Sequence, residues 1–338
     1  MKSYLKYLVI LTLSVCLVLN ILQIGLAQEK TTTGQYSTLK DFQRYTGQKI
    51  TGFKEAPMLT ELVKQGKLPS VEKRLPEEPA VIVPVERIGE YGGTWKRCWT
   101  GVADSAGPSR INYTPTLRWS EDGKKIEPNV AKGWNLSKDC KELTLYFRKG
   151  MRWSDGEPFT ADDVLFWFED VILNKELTPV QPTWMVLGGS TKIEKLDSYT
   201  VKFTFSNPNP LILQWFTGVE AFLPKHYLKN FHPKYVSKTD LEALTKKEGF
   251  QFWYQLFGAK NDWISNPERP THKAWKPTNL PSSTLWIMER NPYYWKVDTA
   301  GNQLPYIDRV AHTLVSDAEM VTMKAISGEI DMQLRHIL

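Results

Sequence analysis

A strict alternation that occurs twice constrains the fold more than any other feature of the chain. Leu143, Leu145 and Phe147 alternate with Thr144, Tyr146 and Arg148, and Val201, Phe203 and Phe205 alternate around polar partners. Successive side chains of a strand point to opposite faces, so each run predicts a strand with one buried face. The first run follows Gly133 to Leu136 across the polar turn Ser137 to Lys141, and the second follows a run from Thr191 across the turn Leu196 to Tyr199. Both patterns predict β-hairpins. Between them, Thr160-Ala161-Asp162-Asp163 has a capping-box pattern that opens a helix whose buried stripe is Val164, Phe168, Val171 and Ile172.

The same mixture continues on both sides. Trp95 to Thr100 reads as a strand, and Gly101 to Asn112 as a polar loop containing Asp104, Ser105, Arg110 and Asn112. Strands are expected at Trp286 to Arg290, Ile307 to Val315 and Glu329 to Met332, with a helix at Ala318 to Ser327. The fold class is therefore α/β. From Gln28 to about Val85 the chain is polar, with one helix candidate, Pro57 to Gln65. Met58, Leu59, Leu62 and Val63 give it an apolar stripe, which fits an ordered arm docked on a larger body.

Lys2 and Lys6 precede a nearly continuous apolar run from Leu8 to Leu26, and Gly25-Leu26-Ala27 supplies small residues, so an export signal cleaved after Ala27 is expected. An uncleaved anchor is weakened by Asn20, Gln23 and Gly25, and lipidation at Cys16 by the bulky Val15 before it. Removing residues 1–27 takes away two lysines and no acids, so the formal charge falls from +6 to +4. The charges are interspersed without a basic block, which gives nucleic acid no footprint. Export leaves Cys98 and Cys140, which could pair in an oxidising compartment, although nothing in the sequence sets their distance. A mature chain of roughly 310 residues should build two or more packed units.

Enzyme motifs are missing. There is no Gly-x-Ser-x-Gly elbow, His-Glu-x-x-His zinc motif or P-loop, and the five histidines are scattered. Asp155, Glu157, Asp162 and Asp163 lack the spaced glycine of a calcium loop and read as a turn and a helix cap. Thirteen tryptophans are many for this length. Trp99, Trp184 and Trp215 could stack on a ligand, yet for any single tryptophan the core is the commoner place.

Several stretches, in order, carry a family resemblance: Leu117-Arg118-Trp119, Ile126-Glu127-Pro128-Asn129-Val130-Ala131-Lys132-Gly133-Trp134, and Trp153-Ser154-Asp155-Gly156-Glu157-Pro158-Phe159-Thr160-Ala161-Asp162-Asp163-Val164. Leu223-Pro224-Lys225-His226, Arg290-Asn291-Pro292-Tyr293-Tyr294-Trp295, Leu304-Pro305-Tyr306-Ile307-Asp308 and Ser327-Gly328-Glu329-Ile330-Asp331 follow. Together they resemble family 5 of the extracellular solute-binding proteins, the dipeptide and oligopeptide type.

The resemblance implies a type II periplasmic-binding-protein lobe with a mixed sheet, built from residues 92–118 and 200–332, and an inserted β-rich satellite at 119–199. Residues 28–91 would be an N-terminal extension, and 333–338 the start of a crossover to a second large lobe that is missing here. One lobe alone cannot enclose a ligand, so weak or absent affinity is expected of the chain. The implied function is capture of a peptide or similar small solute outside the cytoplasmic membrane, in the periplasm or extracellular space. The protein would act as a monomer beside ABC permease subunits, with no catalysis, cofactor or metal. Binding residues are expected in the loop after the first strand and among the aromatics: Trp99, Asp104, Ser105, Arg110, Asn112, Tyr113, Trp184 and Trp215, with Arg335 near the crossover beside His336. Two alternatives remain: a secreted carbohydrate-binding or carbohydrate-active protein with an aromatic platform, and an adhesion module that uses the N-terminal arm.

Overall fold

A computed structural model describes residues 34–337. The expected signal peptide and Cys16 lie outside them. Among the described residues no helix is long and apolar enough to cross a membrane.

Two four-stranded sheets organise the chain. The first has the order β10 (Trp275–Pro277), β11 (Leu285–Arg290), β13 (Ile307–Leu314), β3 (Gly92–Trp99), and its last two strands are parallel. One face of β3 carries Trp99 into the main core, and the other carries Cys98 against Val315 and Val321. Val321 comes from the helix Ala318–Ile326, which covers that face. The second sheet is antiparallel, with the order β6 (Gly133–Leu136), β7 (Glu142–Tyr146), β9 (Thr200–Phe205), β8 (Thr191–Asp197). The alternation seen in the sequence is its buried face: Leu143, Leu145, Val201, Phe203 and Phe205 are all buried. Thr160 caps the helix Ala161–Leu165 as its sequence suggests, with Asp163 Oδ2 accepting from the Thr160 N–H at 2.8 Å. This helix continues as a π-helical segment, Phe166–Ile172.

The expected domain boundaries need correction. β9 lies between β7 and β8, so the division at 199/200 would cut through a sheet. β4 (Leu117–Trp119) pairs with β5 (Ile126–Pro128), so the division at 118/119 would cut another. One core cluster contains Trp99, Trp286 and Val310 of the first sheet and also Leu143 and Phe203 of the second. A shared core, without a polar linker, joins the two sheets.

The N-terminal segment is more than an arm with one helix. Besides Pro57–Lys64 it forms the helices Leu39–Thr46 and Val71–Arg74 and two strands, β1 (Gln35–Tyr36) and β2 (Ala80–Ile82). β2 pairs in parallel with β12 (Lys296–Asp298), and Phe42, Val71, Leu75 and Val81 bury Val297. Short strands and single buried apolar residues carry too little periodicity to be read from sequence. The junction is tight: a Cβ on Gly301 would stand 2.3 Å from the Gly52 carbonyl oxygen, and the glycine has a φ of +80°. Gly301→Ala is therefore expected to lower the thermal midpoint by several degrees. An unchanged midpoint in a calorimetric scan would mean that this junction yields at no cost.

The other departures are local. Residues 101–112 are not an open loop but a 3-10 turn, Val102–Asp104, followed by the helix Ala106–Ile111. Residues 329–332 form no strand. The edge of β3 is instead closed mainly by side chains: Asp331 Oδ2 accepts from the Lys96 N–H at 2.7 Å while the Asp331 N–H donates to the Lys96 carbonyl at 2.9 Å, and the Gln333 amide bridges the Cys98 N–H and C=O at 3.2 and 3.1 Å. Cys98 and Cys140 are free thiols. Cys98 is buried on one sheet, while Cys140 sits in the hairpin turn of the other with a φ of 56°.

Candidate functional site

In an open α/β sheet, ligands collect beyond the carboxyl ends of parallel strands, where the chain diverges. Here those ends are Trp99 of β3 and Leu314 of β13, a matched pair. Gly101 turns the chain with a φ of +99°, which places Asp104 at the end of the 3-10 turn. Asp104 is buried and lies 2.9 Å from Arg335 Nε and 3.2 Å from His336 Nε2. Two residues 231 positions apart, both expected near the ligand, thus meet in one ion pair.

Behind Asp104 lies a row that crosses three strands, in which Trp286 faces His312 and His312 faces Arg97. Trp99 stacks on Trp286 at 4.7 Å, and the His312 ring leans on both. Burial pushes His312 down to about 3, and the nearby Arg97 charge adds to the effect, so the imidazole is neutral. Burial also lowers Arg97, against the opposing charge of Asp104.

A second group lies where residue 113 meets residues 215–220. Tyr113 is 59 % exposed, and its hydroxyl donates to the Thr217 carbonyl. Trp215, two residues earlier, is 36 % exposed. Burial raises Tyr113, and the charge of Glu220 raises it further. Burial alone would raise Glu220, but the charges of Lys273, His272 and Arg269 and the Lys273 hydrogen bond hold it below the usual range. Lys273 is buried, pairs with Glu220 and lies over the Trp263 ring at 5.2 Å. The result is a carboxylate–ammonium pair, open to solvent through Glu220, with the exposed Tyr113 ring nearby and a second exposed ring, Trp215, on the same segment as Glu220. That combination can accept and donate hydrogen bonds to a neutral polar ligand while a ring covers its apolar face.

The remaining sequence candidates divide. Asn112 is structural, since its amide donates to the Trp275 carbonyl at 2.7 Å and accepts from the Trp275 N–H at 3.1 Å. Trp184 is core, stacked on Trp167 at 5.9 Å, and Trp99 is fully buried. Both correct the expectation of ligand contact: an indole enclosed on all sides has no face to offer. Ser105 starts the helix Ala106–Ile111, and Arg110 is exposed on it. The acidic cluster divides between Asp163, which caps its helix, and Asp155, which meets His226 at 2.8 Å. No group of His, Cys, Asp and Glu among the described residues could hold a metal.

Sequence reasoning missed Arg97, His312, Glu220 and Lys273. Arg97 was within reach, because period-two spacing puts it on the same face as Trp95 and Trp99. Glu220 and Lys273 are 53 positions apart and have no local signature.

The family model of bacterial extracellular solute-binding proteins, family 5, matches residues 125–336. The periplasmic alpha-galactoside-binding protein of Rhizobium meliloti is 33% identical over 83% of this chain and 42% of its own length. The periplasmic oligopeptide-binding protein OppA of Salmonella typhimurium is 26% identical over 61% of this chain and 34% of its own. Among solved structures, one described as an oligopeptide-binding protein OppA is 46% identical with a TM-score of 0.87, covering 90% of this chain and 48% of that one. The periplasmic binding protein MelB of Agrobacterium fabrum C58, in complex with stachyose, is 31% identical with a TM-score of 0.70, covering 83% and 43%. The chain thus spans less than half the length of these relatives. All four are named for binding rather than catalysis, and the mixed-sheet fold is that of their periplasmic binding proteins. On its motifs, its sheets and this match, the chain belongs to the bacterial extracellular solute-binding proteins of family 5.

Proposed function

We propose that the protein captures an oligosaccharide of the α-galactoside type outside the cytoplasmic membrane and delivers it to the permease subunits of an ABC importer. The observation that carries this reading is the Glu220–Lys273 pair, open to solvent through Glu220, with the exposed Tyr113 ring within reach of its charge and the exposed Trp215 five residues before Glu220. A pyranose offers one apolar face to a ring and equatorial hydroxyls to charged groups, and this surface holds both kinds of partner. The similarity to the alpha-galactoside-binding protein and to the stachyose complex supports the same chemistry. In hinge-closing receptors a second body encloses the ligand, so the surface described here would be one wall of the cleft.

A peptide is the second reading, favoured by the 46% identity to a protein described as OppA. A peptide held by main-chain bonds needs a free strand edge or similar backbone groups. The edge of β3 offers none at Lys96 and Cys98, because Asp331 and Gln333 already occupy them. The two readings separate in one titration. Stachyose and a tetrapeptide are added to the isotopically labelled chain, and amide shifts are followed. Stachyose is expected to move signals at Tyr113 and residues 215–220, and Trp215→Ala to weaken it about tenfold without altering the unfolding midpoint. Shifts with the tetrapeptide alone would replace the sugar by the peptide.

A further inference from the structure

A cleft of about 370 Å³ opens between the helices Lys238–Lys247 and Trp253–Asn261. None of the residues that line it belongs to the two clusters at the candidate site. Leu241 and Thr245 are buried at its base, and the Thr245 hydroxyl is spent on the Leu241 carbonyl at 2.7 Å, so the base is apolar. Phe252 and Trp253 form the walls. Trp253 is held in place from two directions: its indole N–H donates to Glu176 at 3.2 Å, and its ring meets His232 edge-on at 5.2 Å. The aromatic wall therefore exists before any ligand arrives.

The rim carries charges of both signs that are poorly matched within the protein. Glu242 has only a distant partner, Lys238 at 3.9 Å. Lys246, which also lines the cleft, has no ion pair or hydrogen bond from its ammonium group among the described residues. The volume lies at the small end of the range for small-molecule sites. A sugar would turn hydroxyls toward Leu241, which offers no donor or acceptor. A plain hydrocarbon would leave the rim charges unused.

We propose that this cleft binds a free α-amino acid with an aromatic or branched apolar side chain. The side chain lies on Leu241 between Phe252 and Trp253, the carboxylate meets the Lys246 ammonium, and the ammonium group lies near Glu242 and Glu176 and over the Trp253 ring. The cleft would then be a second small-molecule site, independent of the solute surface and of what that surface captures.

The test uses the purified chain labelled with nitrogen-15 and follows the Trp253 indole signal during titration with L-phenylalanine. Phenethylamine and 3-phenylpropionate, each lacking one of the two charges, are the controls. Saturation with a Kd below about 1 mM is expected for phenylalanine, with each control about fivefold weaker or more. Lys246→Glu, on an exposed position, should weaken phenylalanine by a similar factor and leave the unfolding midpoint unchanged. The proposal is overturned if the indole signal does not saturate, if either control binds as tightly as phenylalanine, or if Lys246→Glu has no effect. Displacement of phenylalanine by stachyose would also overturn it, because the cleft would then be a sugar site.

Discussion

Arg148→Ala is expected to cost about 4 kcal/mol of folding stability, a large share of the 5–15 kcal/mol that holds a typical domain together. The side chain is fully buried, and its fork reaches three separate parts of the chain. Nη1 donates to the carbonyls of Ser37 at 2.5 Å and Glu78 at 2.8 Å, and Nη2 donates to Asn129 at 2.7 Å. The guanidinium also lies 4.6 Å over the ring of Trp295. Burial pulls its pKa down to about 9, and the charges of Glu78 and Asp41 oppose that shift, so the group remains charged at neutral pH. Alanine would strand the buried Asn129 carbonyl and the half-buried carbonyls of Ser37 and Glu78 and leave a void, two mechanisms known to produce large losses. Arg148→Lys should recover only part of the loss, because an ammonium group lacks the planar fork. Urea unfolding of the three proteins measures this. A loss below about 1 kcal/mol for the alanine variant would show that water can replace the guanidinium.

The second large effect is loss of stability in mild acid. Burial pushes His272 down to about 4 and His312 to about 3, and both rings are almost wholly enclosed. In the unfolded chain each would titrate near about 6.5. Their folded values are depressed, so the unfolded state binds the extra protons. The stability they support is complete above about pH 6.5 and is lost as pH falls toward about 4 and 3. Between pH 7 and 5 each contributes a loss of roughly 2 kcal/mol. Asp163 works in the opposite direction. Burial raises it to about 6, so its folded form gains relative stability as it protonates, returning roughly 1 kcal/mol over the same interval. The net loss is about 3 kcal/mol. Urea midpoints at pH 7 and pH 5 give the slope. A double variant, His272→Gln with His312→Gln, should show little or none of the histidine part, and a slope equal to that of the parent would remove the histidines from the explanation.

Part of the candidate site could be pointed to from composition, although the structure puts Asp104 in a 3-10 turn and Trp215 at the end of a short helix rather than on open loops. Asp104 and Arg335 were both expected near the ligand, and they meet as an ion pair. Tyr113 and Trp215 were also expected to offer aromatic surface, and both are exposed. Trp99 and Trp184 share that composition but are enclosed, because a tryptophan looks the same in a sequence whether its neighbours cover it or not. Glu220 and Lys273 could not be found, since a pair made across 53 positions leaves no periodic trace.

The local grammar was determined by sequence alone. Alternation at Leu143 to Phe147 and Val201 to Phe205 defined two hairpins, and Thr160 with Asp163 defined a helix start, because strand period and capping depend on nearest neighbours along the chain. Tertiary structure alone decided which pieces share a sheet and a core. β9 joined the sheet of β6, β7 and β8, residues 34–82 became an integral layer through Val81 and Val297, and Arg148 closed around carbonyls from three segments. Those outcomes depend on burial of apolar surface and satisfaction of buried polar groups between residues far apart in the chain, and such interactions follow shape and contact in space rather than any spacing in the sequence.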